Sequence, residues 1–278
     1  MRLLSLLLLL TCFTYASEPL MVALKPDKNP EAMANERQEM ANYLQTALGR
    51  PVQVIVPLSG AVILEGFNGG TVDLAYLSGT DLANAGTTAE LLVAGRINGR
   101  TTYDSLWVAK AGSSFDSVAA LRGKSVAFAS RTSTSGFLVP RLDLVKRGLI
   151  TRTNPDPATF FGQVFYGTGY VSAIERVLDG SAEAAAVSDY VLLGDKHLTA
   201  AQKAQLRIVQ KQGPVPTHAL AVRASLPAAD KAALHTALLA LNEEKQRPLR
   251  DRLFVAELAE TDANSHLEII RDALSLVR

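Results

Sequence analysis

The sequence predicts an α/β protein of two lobes, each a mainly parallel sheet flanked by helices, with a ligand cleft between them. Three observations carry that expectation. The chain has 278 residues, 48% of them hydrophobic, which is enough for two cores. Short apolar runs alternate along it with segments of helical spacing, the pattern of parallel sheets covered on both faces. Two passages rich in Gly, Pro or small residues, Lys110–Ser113 and Gln212–Pro216, read as crossings between lobes. They divide the chain into a leader (1–16), an outer lobe made from both ends (17–108 and 216–278) and an inner lobe (109–215). A cleft between such lobes lies at the carboxyl ends of the strands.

The elements follow in order. Leu20–Leu24 is a short apolar strand, and Glu31–Leu48 a helix with Met40, Tyr43, Leu44 and Leu48 near helical spacing and Gly49 as its C-cap. Val52–Val56 is a strand, Ala61–Phe67 a helix stopped by Asn68-Gly69-Gly70, and Val72–Leu77 a strand. The chain then returns to Ala94 through a helix of small residues. Strands are expected at Tyr103–Ala109, Ser125–Ala129, Gln163–Phe165, Ala184–Val187, Leu206–Val209 and Ala219–Val222. Helices are expected at Gly136–Arg147, Val171–Leu178, Pro227–Asn242 and Ser265–Leu276.

Composition excludes several classes. The first residues have the form of a secretory signal: Met1-Arg2 as a positive head, an apolar run through Phe13, and small residues ending at Ala16. The run of about 13 residues is short of the roughly 20 a spanning helix needs. Leu9-Leu10-Thr11-Cys12 offers lipid anchoring at Cys12 as a rival to plain cleavage after Ala16. Cleavage removes Arg2 and Cys12, leaving 27 basic against 27 acidic residues and no cysteine. The mature chain therefore makes no disulfide and no cysteine-ligated zinc site, and suits an oxidising compartment such as the periplasm. Zero net charge and the lack of a basic stripe argue against nucleic acid as a partner.

Residues able to hold a ligand gather at strand-to-helix turns. Ser133-Thr134-Ser135-Gly136 follows one strand and opens the next helix, so free N–H groups and three hydroxyls can cradle an oxyanion. The same residue types also make an ordinary N-cap. Tyr76, Tyr103 and Tyr170 fall near element ends, where a phenol can bond a ligand or simply pack. Ser59-Gly60 and Ser78-Gly79 open helices and read equally as turns. Asp189 follows a strand and can accept from a protonated ligand or cap the helix Tyr190–Leu193. The histidines His197, His218, His235 and His266 show no metal-binding spacing. Hydrolysis by Ser133 with His218 as its base is a further reading.

Several segments, in order, resemble one family. They are Gly69-Gly70-Thr71-Val72-Asp73-Leu74-Ala75-Tyr76-Leu77, Leu121-Arg122-Gly123-Lys124-Ser125-Val126-Ala127-Phe128, and Ser133-Thr134-Ser135-Gly136-Phe137-Leu138-Val139-Pro140. Leu178-Asp179-Gly180 with Ala184-Ala185-Ala186-Val187, and Pro214-Val215-Pro216 before Ala219–Arg223, complete the set. Together they are similar to the substrate-binding proteins of phosphate, phosphite and phosphonate ABC transporters, with a type 2 periplasmic-binding fold. The resemblance implies that Ser133, Thr134 and Ser135 hold phosphonate oxygens, that Tyr103 adds a phenol, and that the turn after Tyr76-Leu77 lines the cleft. The chain departs from the family in having Ser59-Gly60 where a Tyr is common and Gly169-Tyr170 where a His is common. Glu183-Ala184 stands near an altered acidic position.

The expectation is thus a periplasmic, monomeric solute-binding protein. It holds a small oxyanion of the phosphonate, phosphite or phosphate class at Ser133, Thr134, Ser135, Tyr103, Tyr170, Tyr76, Ser78, Ser59 and Asp189. It serves an ABC-type permease or, alternatively, a membrane sensor, with no cofactor, no metal and no enzymatic role.

Overall fold

A computed structural model describes residues 18–24, 33–194, 197–253 and 255–276. The expected signal segment 1–16, with Arg2 and Cys12, lies outside the described residues, as does the expected helix start at Glu31. In chain order the strands are β1 (Leu20–Ala23), β2 (Val52–Ile55), β3 (Leu74–Leu77), β4 (Ala89–Arg96), β5 (Thr102–Lys110) and β6 (Ser125–Phe128). They continue as β7 (Gln163–Tyr166), β8 (Ala184–Ser188), β9 (Leu206–Pro216), β10 (Ala219–Arg223) and β11 (Glu257–Ala259). The α-helices are α1 (Met33–Leu48), α2 (Gly60–Gly69), α3 (Gly79–Ala85), α4 (Val139–Lys146), α5 (Tyr170–Asp179) and α6 (Asp189–Leu193). They continue as α7 (Ala200–Ala204), α8 (Ala228–Ala240), α9 (Arg247–Asp251) and α10 (Ala263–Ser275).

The strands form two sheets. One runs β11-β4-β10-β3-β1-β2 and the other β7-β6-β8-β5-β9. In the first, alternate residues face opposite layers, as the two-residue period of a strand dictates. Leu20, Val22, Leu74 and Val222 pack with Met40 and Leu44 of α1 and Leu234 and Leu238 of α8. Ala23, Ala75, Leu77 and Ala221 pack with Ile63 and Phe67 of α2. The second sheet repeats the scheme. Trp107, Val126, Phe128 and Ala186 face Leu138 and Leu142, whereas Leu106, Val108, Ala127 and Ala185 face Ile174 and Val177 of α5. Each lobe is a three-layer unit with its own core, as expected.

Three expectations need correction. First, the sheets are mixed rather than mainly parallel: β1 runs parallel to β2 and β3, and β6 to β7 and β8, but β10 is antiparallel to β3 and β4. β5 is likewise antiparallel to β8 and β9. β10 and β5 each adjoin a crossing, where the chain leaves one sheet and later returns beside its own exit, and β11 adds an antiparallel edge strand beside β4. Second, the helix in the stretch ending at Ala94 stops at Ala85, and after a 3₁₀ turn at Gly86–Thr88 the chain is strand from Ala89. Glu90–Ala94 is rich in helix formers, but pairing with β10 and β11 overrides that propensity. Third, β5 belongs wholly to the second sheet, so the expected boundary near residue 108 falls inside a strand. Lys110–Ser113 is a turn closed by Ser113 N–H donating to Lys110 C=O at 2.9 Å.

The chain crosses instead at residues 97–101 and 217–218. Asn98 and Gly99 both have positive φ (50° and 74°), the tight Asn-Gly turn that reverses a chain in two residues. Thr217 fastens the two crossings together. Its Oγ1 donates to the carbonyls of Gly95 (2.6 Å) and Thr101 (2.9 Å), and its own carbonyl meets His266 Nε2 of α10 at 3.2 Å. Helix α10 spans both lobes, burying Leu267 in the first core and Ala273 in the second.

Candidate functional site

The Ser-Thr-Ser segment forms a wide turn rather than the first turn of a helix. Leu138 N–H donates to Ser133 C=O and Val139 N–H to Thr134 C=O, the five-residue spacing of a π-type turn, and α4 starts only after it. Gly136 is required by close approach: a Cβ there would lie 2.5 Å from Ala129 Cβ and 3.1 Å from Tyr170 Cε1. The turn is thereby pressed onto the end of β6 and the start of α5.

Ser135 sits at the centre of a hydroxyl network and is completely buried. Tyr103 Oη donates to its Oγ at 3.3 Å, and Tyr170 Oη lies 2.8 Å from the same oxygen. Beneath it, Ser105 Oγ donates to the Ser135 carbonyl at 2.6 Å and receives Gln212 Nε2 at 2.8 Å, which fixes the backbone of the turn to β5 and β9. Tyr190 packs on both phenols, 6.2 Å from the Tyr103 ring and 5.6 Å from that of Tyr170. Burial pushes the Tyr103 and Tyr190 phenols well above their ordinary range, so both remain protonated donors at neutral pH.

A hydroxyl pair joins the lobes at this turn. Thr134 Oγ1 lies 2.6 Å from Thr80 Oγ1, and both residues are buried. Thr80 is the second residue of α3 and belongs to the first lobe. The structure therefore brings Thr134, Ser135, Tyr103 and Tyr170 together, and adds Thr80, Tyr190, Ser105 and Gln212. Thr80 and Tyr190 each stand directly behind an expected site residue in sequence, after Ser78-Gly79 and Asp189. Ser105 lies two residues after Tyr103, on the same face of β5.

The other expected residues are engaged locally. Ser133 Oγ accepts from Gly136 N–H at 3.0 Å, capping its own turn. Asp189 Oδ2 accepts from Asp104 N–H at 3.0 Å, tying the end of β8 to the start of β5. Ser78 caps α3 in a reciprocal box with Asp81, and Ser59 caps α2 by accepting from Val62 N–H at 3.4 Å. Tyr76 is buried, with its ring stacked on His218 and its hydroxyl donating to Leu253 C=O at 2.6 Å. Burial raises its phenol pKa. Ser133 and His218 are thus each engaged with other groups. Among the described residues no cluster of His, Cys, Asp or Glu is able to hold a metal ion, and no helix is long and apolar enough to cross a membrane.

Two lobes joined by paired crossings, with a buried hydroxyl-lined turn where they meet, define a two-lobed solute-binding protein. A family model for the periplasmic phosphonate-binding proteins of ABC transporters matches residues 22–267, and the chain belongs to that family. The phosphate-import protein PhnD of Mycolicibacterium smegmatis is 26% identical over 176 residues, 60% of this chain and 54% of that protein. The chain thus spans about half the length of the curated relative it matches. Among solved structures, XAC2383 from Xanthomonas citri bound to chloride ion superposes with a TM-score of 0.77 at 20% identity, covering 93% of this chain and 98% of that one. PhnD1 from Prochlorococcus marinus in complex with methylphosphonate gives 0.73 at 16% identity, covering 91% and 96%.

Proposed function

We propose that this chain is the extracytoplasmic receptor of an ABC importer and closes its two lobes over one small phosphorus oxyanion. The observation that carries the reading is the buried Ser135 hydroxyl, with two tyrosine hydroxyls on it and a threonine pair bridging the lobes beside it. Protonated phenols and hydroxyls are neutral donors, and they bind an oxyanion by hydrogen bonds in a site shielded from water. Ser133, Thr134 and Ser135 hold the oxygens from the second lobe, with Tyr103 and Tyr170 over them. The first lobe closes with Thr80 leading, and Ser59, Ser78 and Tyr76 support its rim. Asp189 accepts from a protonated ligand oxygen.

Phosphate and methylphosphonate, named with two of its relatives, are the first ligands to try. On this reading the mature chain is a periplasmic monomer without enzymatic turnover, and it delivers its ligand to a membrane permease. The test is a thermal-shift and calorimetric titration with phosphate, phosphite, methylphosphonate, 2-aminoethylphosphonate and sulfate. A ligand that binds only the folded state raises Tm in a concentration-dependent way. A shift with a phosphorus oxyanion and none with sulfate is expected. No shift with any phosphorus compound overturns the ligand assignment.

A further inference from the structure

We propose that the second lobe carries a further oxyanion site at Arg141, on the helix that follows the turn holding Ser135. It goes beyond the reading of the cleft: with a free anion it stands whether or not Ser135 takes a phosphorus oxyanion, and with a cleft ligand it rests on that reading. Arg141 is the third residue of α4 and only 8% exposed. Its Nε and Nη2 are both buried and have no hydrogen-bond partner. These two N–H groups form one edge of the guanidinium, the fork that receives two oxygens of a carboxylate or phosphoryl group.

The contact with the Phe137 ring uses the face of the guanidinium and leaves this edge without a partner. The neighbours of Arg141 along the chain, Leu138, Leu142 and Leu144, are buried apolar residues, and a charge is costly to bury among such a run unless it is partnered. A guanidinium stays protonated in proteins, and leaving its buried donors unmade costs their full desolvation. The fork is therefore built for something other than packing.

A second cation stands beside it. Arg141 lies 5.0 Å from the Phe137 ring centroid, and Phe137 contacts Tyr166 at 5.4 Å. The Arg131 guanidinium sits 3.7 Å over the opposite partner, the Tyr166 ring, and is exposed. Two guanidiniums thus flank one aromatic pair, one buried and one at the surface. No ion pair among the described residues includes either. Asp156, the acid just before the strand that carries Tyr166, accepts from Ala158 N–H at 3.0 Å. The ligand is a carboxylate or phosphoryl group held bidentate by Arg141, with Arg131 adding charge at the surface. It comes either as a free anion or as the second acidic group of a molecule seated at Ser135.

The test follows arginine Nε–H resonances of the full mature chain during titration, with the Arg141 signal assigned by its loss in Arg141→Met. With inorganic phosphate the Arg141 signal is expected to shift saturably, and in Ser135→Ala its midpoint stays within about twofold, as for independent sites. That result supports the free-anion source. If the group belongs to a cleft ligand, Arg141→Met weakens phosphonoacetate by roughly tenfold or more and leaves methylphosphonate unchanged. Arg141→Lys, which keeps charge and loses the fork, should behave as Arg141→Met does while holding the fold. An Arg141 signal that stays still, or drifts equally with chloride, overturns the proposal when Arg141→Met also binds phosphonoacetate as the wild type does. Water then completes the fork.

Discussion

Both lobes present serine-glycine turns where strands give way to helices, but they use their hydroxyls differently. In the first lobe, Ser59 and Ser78 turn back on their own helices as N-caps. In the second, only Ser133 does so. The two residues after it are aimed elsewhere, Thr134 at the opposite lobe and Ser135 at two tyrosines. The backbone makes the difference. The π-type turn inserts a residue before α4, so the serine at its head caps the turn while the next two side chains lie off the helix face. An α-helix starting directly at its cap, as α2 and α3 do, has no such surplus. A cap and a ligand cradle therefore share a composition and differ in one extra residue of turn.

The sharpest way to break this comparison is Ser135→Ala. It removes the hydroxyl on which Tyr103 and Tyr170 converge. A hydrogen bond to a charged ligand contributes about 1.5–3 kcal/mol, so affinity for the phosphorus oxyanion should fall roughly ten- to a hundredfold by calorimetry. Unchanged affinity would put Ser135 with the structural caps and erase the contrast.

Thr80→Val sharpens it from the other side. The variant keeps shape and removes one partner of the only hydroxyl pair described between α3 and the Ser133–Leu138 turn. The hydrogen bond contributes about 1 kcal/mol, so closure should weaken by roughly fivefold. Scattering of the ligand-free protein should show a larger radius, and oxyanion affinity should fall by the same factor. A radius and an affinity equal to the wild type would mean that closure rests on α10 and the Thr217 crossing alone.

The contrast was only half visible beforehand. Lobes, cores and most elements were legible because period-2 and helical patterns are local, as in Val126–Phe128 or Leu74–Leu77. That Thr134, Ser135, Tyr103 and Tyr170 could come together was legible because they stand at element ends, whereas Ser133, in the same run, caps its own turn. Tyr76 also stands at one, yet it is bound to Leu253, 177 residues away, and no local pattern encodes that distance. Thr80 was invisible for the same reason, its partner being 54 residues off. The crossings were misplaced because glycine marks a turn whether the chain stays in its sheet, as at Gly112, or leaves it, as at Gly99. Asn98-Gly99 was the stronger signal, since that pair selects positive φ at both positions.

Ser78→Ala should act on stability more than on binding. Ser78 both accepts from Asp81 N–H at 3.2 Å and donates to the Asp81 carboxylate, and its loss should cost about 1 kcal/mol. Denaturant unfolding should show a lower midpoint with an unchanged slope. Oxyanion affinity should move less than in Ser135→Ala, and a larger loss of affinity than of stability would make Ser78 a ligand contact after all.

Ser59→Ala should be the mildest of the four. Its cap bond to Val62 N–H is long, at 3.4 Å, and the N-terminus of α2 is open, with Leu58 92% exposed. Water can replace the hydroxyl there, so the cost should sit near the low end for a cap, about 0.5 kcal/mol. The same openness makes the variant informative. Alanine releases the Val62 N–H from its cap, so if the first lobe holds oxyanions through its backbone, affinity stays or rises slightly. If instead the Ser59 hydroxyl is itself the contact, affinity falls while the unfolding midpoint barely moves. Calorimetry and denaturant unfolding on this one variant therefore separate a cap from a ligand contact in the first lobe.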